Sequence, residues 1–326
     1  MICRLDPIRD SLIAWAESLW LEDTGSFRNG DGTDPHLPSS LFISYILYSA
    51  DALGSINCDR KRWAGWIQSQ QNQVDGSFAF PPPIGSGIPR KGIALWNAKR
   101  TLGILGGDLL HFPSYQRNAM TVDGLREWFR GWASLGGSHH EVLALAPTVA
   151  SHPDDAWRDA FFEELASQQH PSLGYWPKGD EPPNISRTFA YSLVHLGMGR
   201  LPAQPERIID VMLDLQDDNG LWHGGKGFST MDAVFLLSRL PGAADWRTED
   251  ADVALNTTAD SLISYFDDLP SQDRSDTHRF AGPVQTLALL SQALPDRFET
   301  SREWRFAWER SEFWKSETIR DALVSA

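Results

Sequence analysis

Cysteine is nearly absent from this chain of 326 residues: Cys3 and Cys58 are the whole complement. Two thiols cannot build a disulfide framework or a Cys-rich zinc site, so a reduced, cytoplasmic protein is expected. Positive charge is scarce too. Against 43 Asp and Glu stand 29 Lys and Arg, a net charge of −14. Phosphate backbones select basic surfaces, so nucleic acid is not expected as a partner. Long apolar runs are missing: the stretch from Leu41 to Ala50 is broken by Ser44 and Ser49 and falls well short of a membrane span. No basic segment followed by an apolar stretch opens the chain, so no secretory signal is expected. Period-two alternation, the mark of half-buried strands, is also lacking.

What the chain has instead is tryptophan, 14 in all, each a large body to bury and an N–H to satisfy. It also has a recurring phrase, a glutamine followed by a glycine and an aromatic. The copies run from Gln71 through Gly76 to Phe78, from Gln169 through Gly174 to Trp176, and from Gln216 through Gly220 to Trp222. A weaker copy without the glutamine is Gly25-Ser26-Phe27. A fixed phrase between two helical patterns means one helical hairpin used repeatedly. Six such hairpins can be laid out, with outer helices over Ile8–Leu21, Arg60–Gln71, Val122–Leu135, Asp155–Gln169, Pro205–Gln216 and Thr257–Leu269. Their inner partners are Ser39–Leu53, Lys91–Leu105, His139–Ala150, Ser186–Leu196, Thr230–Leu240 and Gly282–Leu294. The third hairpin is degenerate, with Gly136-Gly137 in place of the phrase. Stripes such as Ile208, Met212, Leu215 and Val234, Leu237, Leu240 have helical spacing.

The expected fold is therefore all-α: an (α/α)6 toroid with inner helices around a central cavity and outer helices wrapping them. Residues 1–300 are expected to form a single domain. Residues 301–326 are expected to form a C-terminal helix rich in tryptophan (Trp304, Trp308, Trp314) packed on it. In the repeated phrase, Gln71, Gln169, Gln216, Trp176 and Trp222 have a structural job: the glutamine caps neighbouring helix ends and the aromatic stacks on it.

The phrase resembles the QW repeat of squalene–hopene cyclases and other class II terpenoid cyclases. The six-hairpin plan resembles the toroid those enzymes share with protein prenyltransferase β subunits. The resemblance implies a small, isoprenoid-like ligand in the central cavity. It also defines what is missing. The Asp-x-Asp-Asp phrase that protonates the cyclase substrate does not occur in this chain. Gly224 to Asp232 is similar to the stretch carrying the zinc-ligand aspartate of prenyltransferases, and His278 could stand for the histidine ligand. Val234, however, occupies the place of the family's cysteine. With that ligand gone the zinc set is incomplete, and neither a metal nor another cofactor is expected.

Repeat phase locates a site. Each loop after the Gly-aromatic phrase enters the N-terminus of an inner helix, where unpaired N–H groups and the positive dipole end attract anions. The polar residues collected in those loops are candidates for catalysis: Asp34 and His36, His140 and Glu141, His223, Asp232 and His278. Among them Asp232 is the leading acid, since burial can hold its proton for general-acid work. Candidate ligand-binding residues are Arg90, Lys91, Arg187, Lys226 and Arg279 for an anionic group, with Trp96 and Trp222 as aromatic walls. Two other readings stay open. Gly220-Leu221-Trp222-His223-Gly224 is similar to a phrase in unsaturated uronyl hydrolases of toroidal shape, so a glycosidase or uronate-processing enzyme could pair Asp34 or Glu141 with Asp232. A toroid without catalysis, working as a binding or scaffold module, is the third.

Overall fold

A computed structural model describes residues 2–80, 91–134, 139–176, 182–267, 274 and 276–325. Arg90, the Gly136-Gly137 pair and the proline loop that precedes Lys91 lie outside the described residues. The helices, in chain order, begin with α1 (Leu5–Leu19), α2 (Leu37–Ser49), α3 (Arg60–Ser69) and α4 (Lys91–Leu105). There follow α5 (Val122–Ser134), α6 (His139–Ser151), α7 (Asp155–Ser167), α8 (Ile185–Gly197) and α9 (Pro205–Asp214). The last four are α10 (Phe228–Ala244), α11 (Thr248–Asp267), α12 (Thr277–Ala293) and α13 (Glu317–Val324). Strand structure among the described residues is confined to two-residue pairs: Cys3–Arg4 with Phe298–Glu299, and Trp20–Leu21 with Ser26–Phe27. Two such pairs escape sequence detection because two residues are too few to show alternation. No helix among the described residues is long and apolar enough to cross a membrane.

The chain divides into two compact units. Unit 1 comprises residues 1–58, 170–189 and 203–307; unit 2 comprises 59–169, 190–202 and 308–326.

In unit 1, α12 packs against both α2 and α10, and these three are buried almost all round. Such helices show no clear apolar stripe because every face meets protein. Around them lie amphipathic helices. On α9 the buried residues are Ile208, Ile209 and Met212, one face only, and that face meets α10. Local sequence sets the helix starts. His36 caps α2, its ring Nδ1 accepting from the Ser39 amide at 3.3 Å, with Pro38 in the first turn. Asp276 caps α12 by accepting the His278 and Arg279 amides.

Unit 2 repeats the scheme. Helices α4 and α6 pack together as the buried pair, while α3 lays Trp63, Ala64 and Ile67 against α4. The C-terminal helix is shorter than the sequence pattern suggests. It spans only Glu317–Val324, and Trp308 and Trp314 precede it in irregular chain and a short 3-10 turn. These two side chains are buried individually rather than along a helical stripe. The Trp314 ring meets Trp96 edge-on at 5.2 Å, and Trp308 stacks on the Arg100 guanidinium at 4.1 Å. Trp304, in unit 1, is likewise buried in non-helical chain.

The repeated phrase works as a brace. Gln71 Oε1 accepts from the Leu110 and His111 amides at 2.8 and 3.0 Å, and its Nε2 donates to the Gly76 and His111 carbonyls. Gln216 Nε2 donates to the Gly220 carbonyl at 3.1 Å and to the Ala254 carbonyl at 3.0 Å. In both cases one side chain ties its own turn to backbone about one hairpin further on. The glycine is obligatory: Gly25, Gly76, Gly174 and Gly220 all have φ between 69° and 76°, a region costly for any residue with a Cβ. The aromatics Phe78, Trp176 and Trp222 are fully buried. A further element of the repeat is a hydroxyl in the inner helix. Ser40, Thr188 and Thr230 accept from the amides of Phe27, Trp176 and Trp222 at 2.9, 3.2 and 3.0 Å.

Candidate functional site

In unit 1 the beginnings of α8 and α10 meet the turn that follows Trp222. Gly220 and Gly224 take positive φ, as does His223 at 54°, and this reverses the chain tightly enough to place His223 beside the two helix starts. Asp217 fastens the turn by accepting the Gly224 amide at 2.6 Å. Between these elements lies a pocket of about 500 Å³ lined by Pro182, Pro183, Asn184, Ile185, Ser186, His223 and Ser229.

Behind the pocket wall is Asp232, on the second turn of α10 and only 2% exposed. Ser186 Oγ, on the wall, donates to its Oδ2 at 2.6 Å. Burial pushes the Asp232 carboxyl from an ordinary 3.8 up to about 8, and the Ser186 hydrogen bond offsets only part of that rise. Among the described residues no cation contributes to the shift. Lys226 stands over the Tyr265 ring at 5.4 Å, and Arg279 faces Asp276 at 3.4 Å. A carboxyl without a positive partner in a low-dielectric setting keeps its proton near neutral pH. The arrangement can therefore hold a proton on Asp232 and present it through the Ser186 hydroxyl to whatever fills the pocket.

The other candidates of unit 1 gather on the starts of α2, α10 and α12. The His278 ring is exposed and packs edge-on against Phe42 at 4.8 Å and tilted against Phe228 at 4.6 Å. Since Phe228 opens α10, one aromatic residue links His278 to the helix that carries Asp232. Ser39 Oγ bridges His36 Nδ1 at 2.7 Å and Thr277 Oγ1 at 3.1 Å, tying α2 to α12. Burial holds His36 below the ordinary imidazole range, and the Asp276 carboxylate opposes that shift. His36 is thus half-buried and engaged as a helix cap, while Asp34 lies exposed in the loop before it. Arg187 follows Ser186 on α8, its amide bonded to Asn184 Oδ1. Trp222 is fully buried, its Nε1 donating to the Met212 carbonyl at 2.8 Å, which makes it a packing residue rather than a pocket wall.

Unit 2 holds a second polar cluster where α4 and α6 begin. Lys91 Nζ donates to Asp75 Oδ2 at 2.7 Å and lies 5.9 Å from the centre of the Tyr115 ring. The Lys91 and Ser77 hydrogen bonds draw the Asp75 carboxyl down to about 2. Glu141 is pushed up by burial, against a hydrogen bond from the Gly92 amide, and burial also raises the Tyr115 hydroxyl. His140, beside Glu141, is partly buried. Trp96 is fully buried and stacks on Arg100 at 4.2 Å, again as packing.

The zinc-ligand positions implied by the family resemblance are only partly filled by metal-binding side chains. Val234 is buried in apolar contact where a thiolate ligand would be needed, and Asp232 is turned to Ser186. Among the described residues no three His, Cys, Asp or Glu side chains are grouped to hold a metal ion.

Asp232 and His223, both candidates from the sequence, lie at this pocket, whereas Ser186 and Ser229 were not among the candidates. Serines in loops and first turns are common, and only the fold puts these two on one wall. Compared with known proteins, the chain matches the family model described as the prenyltransferase alpha-alpha toroid domain, over residues 4–87 and 114–254. No curated protein matches it.

Proposed function

Because this chain belongs to the prenyltransferase alpha-alpha toroid family, with the all-α toroid fold that membership carries, we propose that it is an enzyme acting on a small, isoprenoid-like ligand. In this reading Asp232 supplies a proton through Ser186. One observation carries it: a sealed carboxyl bonded at 2.6 Å to a hydroxyl on the wall of a 500 Å³ pocket.

The acidity narrows the chemistry. A carboxyl titrating near 8 is roughly nine-tenths protonated at pH 7, but it is a weak acid. It suits protonation of an oxygen, such as a hydroxyl, epoxide or ether leaving group, better than protonation of an alkene. Ile185, Pro182 and Pro183 give the pocket its apolar wall, and Asn184, Ser229 and His223 give it hydrogen-bonding groups beside the donor. Glycoside hydrolysis asks for two carboxyls facing one another across the bond. Among the described residues the pocket lining includes no carboxyl, and Asp34 is exposed in its loop. This favours the isoprenoid reading over the carbohydrate one.

The test is a thermal-shift panel of isoprenoid alcohols, epoxides and diphosphates against uronate and neutral oligosaccharides, followed by turnover of whichever binds. Ligand binding to the folded state raises the melting temperature by mass action. The proposal expects a shift with an isoprenoid and turnover that falls as pH rises through about 8. It also expects Asp232→Asn to lose about a hundredfold or more in kcat. A shift with sugars alone, or full turnover by the Asn variant, would overturn it. Silence across the whole panel would leave the scaffold reading in its place.

A further inference from the structure

We propose that Ser186 is also a nucleophile, with Asp232 as its base, giving this pocket an acyl-transfer or esterase activity beyond proton donation. The inference rests on the same residue pair as the proposed function but on the opposite ionisation state of Asp232, and it does not depend on an isoprenoid ligand.

A serine hydroxyl becomes nucleophilic when a base within hydrogen-bond reach can take its proton as it attacks. Three features of the site meet that requirement together. The Ser186 O–H already points at Asp232 Oδ2, 2.6 Å away, so proton transfer needs no rearrangement. The base is sealed from water while the serine oxygen lies on the pocket wall, so a ligand reaches the nucleophile and not the base. Ile185 and Ser186 both line the pocket and lie in the first turn of α8, where backbone N–H groups have no acceptor within the helix, the kind of donor an oxyanion needs. The next amide, that of Arg187, is already taken by Asn184 Oδ1.

The basicity fits as well. Ordinary aspartate is too weak a base for this work, and burial corrects that by raising the carboxyl to about 8. Among the described residues, the titratable or charged groups in the turn and at the starts of α8 and α12 are Asp217, Asp218, His223 and Lys226, Arg187, and Asp276, His278 and Arg279. None contributes to the shift at Asp232, whose interactions are burial and Ser186.

The reaction balances without metal or redox partner. Ser186 Oγ attacks the carbonyl carbon of an ester, and its proton passes to the Asp232 carboxylate. The tetrahedral intermediate collapses, the C–O bond to the alcohol breaks, and the leaving alkoxide takes a proton from water in the pocket. The hydroxide so formed attacks the acyl-serine and releases the acid, and the Ser186 oxygen takes its proton back from Asp232, its hydrogen-bond partner.

The experiment needs no knowledge of the natural substrate. The purified full chain is treated with a fluorophosphonate, whose phosphorus bonds to Ser186 Oγ as fluoride leaves and the proton passes to Asp232. Intact mass and peptide mapping follow the adduct from pH 5 to 10. The expected result is a single adduct on Ser186, formed about tenfold faster per pH unit until the rate levels near 8. Ser186→Ala should take no label. Asp232→Asn should label at least about a hundredfold more slowly and without the break near 8. The break in the native chain reports the base directly, so the proposal stays testable even if a variant fails to fold. No adduct at any pH, an adduct that survives Ser186→Ala, or an Asn variant labelled as fast as the native chain would each overturn it. Failure here is separable from failure of the acid reading. Turnover that declines above pH 8 without labelling removes the nucleophile alone; labelling without turnover of any isoprenoid removes the isoprenoid acid reading alone.

Discussion

Asp232→Asn should make the folded protein less sensitive to alkaline pH, and the size of the effect follows from where the carboxyl lies. In the folded chain Asp232 titrates near 8, against an ordinary 3.8. Between those values the native state keeps a proton that the unfolded chain has released. A native state that binds more protons loses stability as pH rises. The contribution of Asp232 is therefore most favourable below the ordinary value, declines through the window from about 4 to 8, and is fully lost above it. Each unit corresponds to about 1.4 kcal/mol, so the window spans about 6 kcal/mol and the part between pH 5 and 8 about 4 kcal/mol. These are upper figures, because relaxation around the anion lowers them, yet they are large against a typical stability of about 5–15 kcal/mol. Asparagine is isosteric, never ionises, and accepts the Ser186 hydrogen through its own carbonyl oxygen. Urea unfolding of both proteins, followed by tryptophan fluorescence at pH 5, 6.5 and 8, isolates the difference because all other titrations cancel. The native chain should lose several kcal/mol more than the variant over that range. Parallel curves, within about 0.5 kcal/mol, would show that Asp232 is hydrated or paired and would refute the argument built on its burial.

Two further outcomes follow from the braces and from the polar cluster of unit 2. Gln71→Ala strands the Leu110 and His111 amides and the Gly76 and His111 carbonyls, and Gly76→Ala puts a Cβ 2.3 Å from the Phe112 carbonyl oxygen at a φ of 69°. Each should cost about 3 kcal/mol or more in urea denaturation, while an alanine at exposed Val74 in the same turn should cost under about 0.5 kcal/mol. Lys91→Met should bring the Asp75 carboxyl up from about 2 toward its ordinary range, read by NMR titration of the side chain. Asp75 is a depressed carboxylate, so the stability it contributes is present above the ordinary value and is lost as pH falls through about 2. Removing Lys91 should therefore move acid unfolding to higher pH, and unchanged acid unfolding with an unchanged Asp75 titration would refute the pairing.

The legible part of this protein was its repeat. Gln71, Gly76 and Phe78 are chemically unusual as a set, and their recurrence at Gln216, Gly220 and Trp222 marks a turn that needs positive φ, a bridging amide and a buried ring. The hydroxyls that complete it were not legible. Ser40, Thr188 and Thr230 lie thirteen, twelve and eight residues beyond the amides they serve, because the intervening loops differ in length. The C-terminal tryptophans misled for a related reason. Trp308 and Trp314 have near-helical spacing, but their partners Arg100 and Trp96 lie some two hundred residues earlier, and those contacts draw the chain out of a helix. Trp96 and Trp222 looked like ligand walls on residue type alone, and packing claimed both.

By itself the sequence determined an all-α chain of hairpins with polar residues collected at inner-helix starts, since periodicity, glycine placement and chain direction are local properties. It also nominated Asp232, by its position in the repeat. The tertiary structure alone decided what Asp232 is. A carboxyl's acidity depends on the dielectric and the charges around it, and at Asp232 those come from Ser186 of α8 and from α9, α11 and α12 packed on α10, segments separated in the chain and joined only by folding. The same packing that excludes water from Asp232 leaves Ser186 on the pocket wall, and that division between a hidden proton and an exposed oxygen is a property of three-dimensional arrangement that no local pattern encodes.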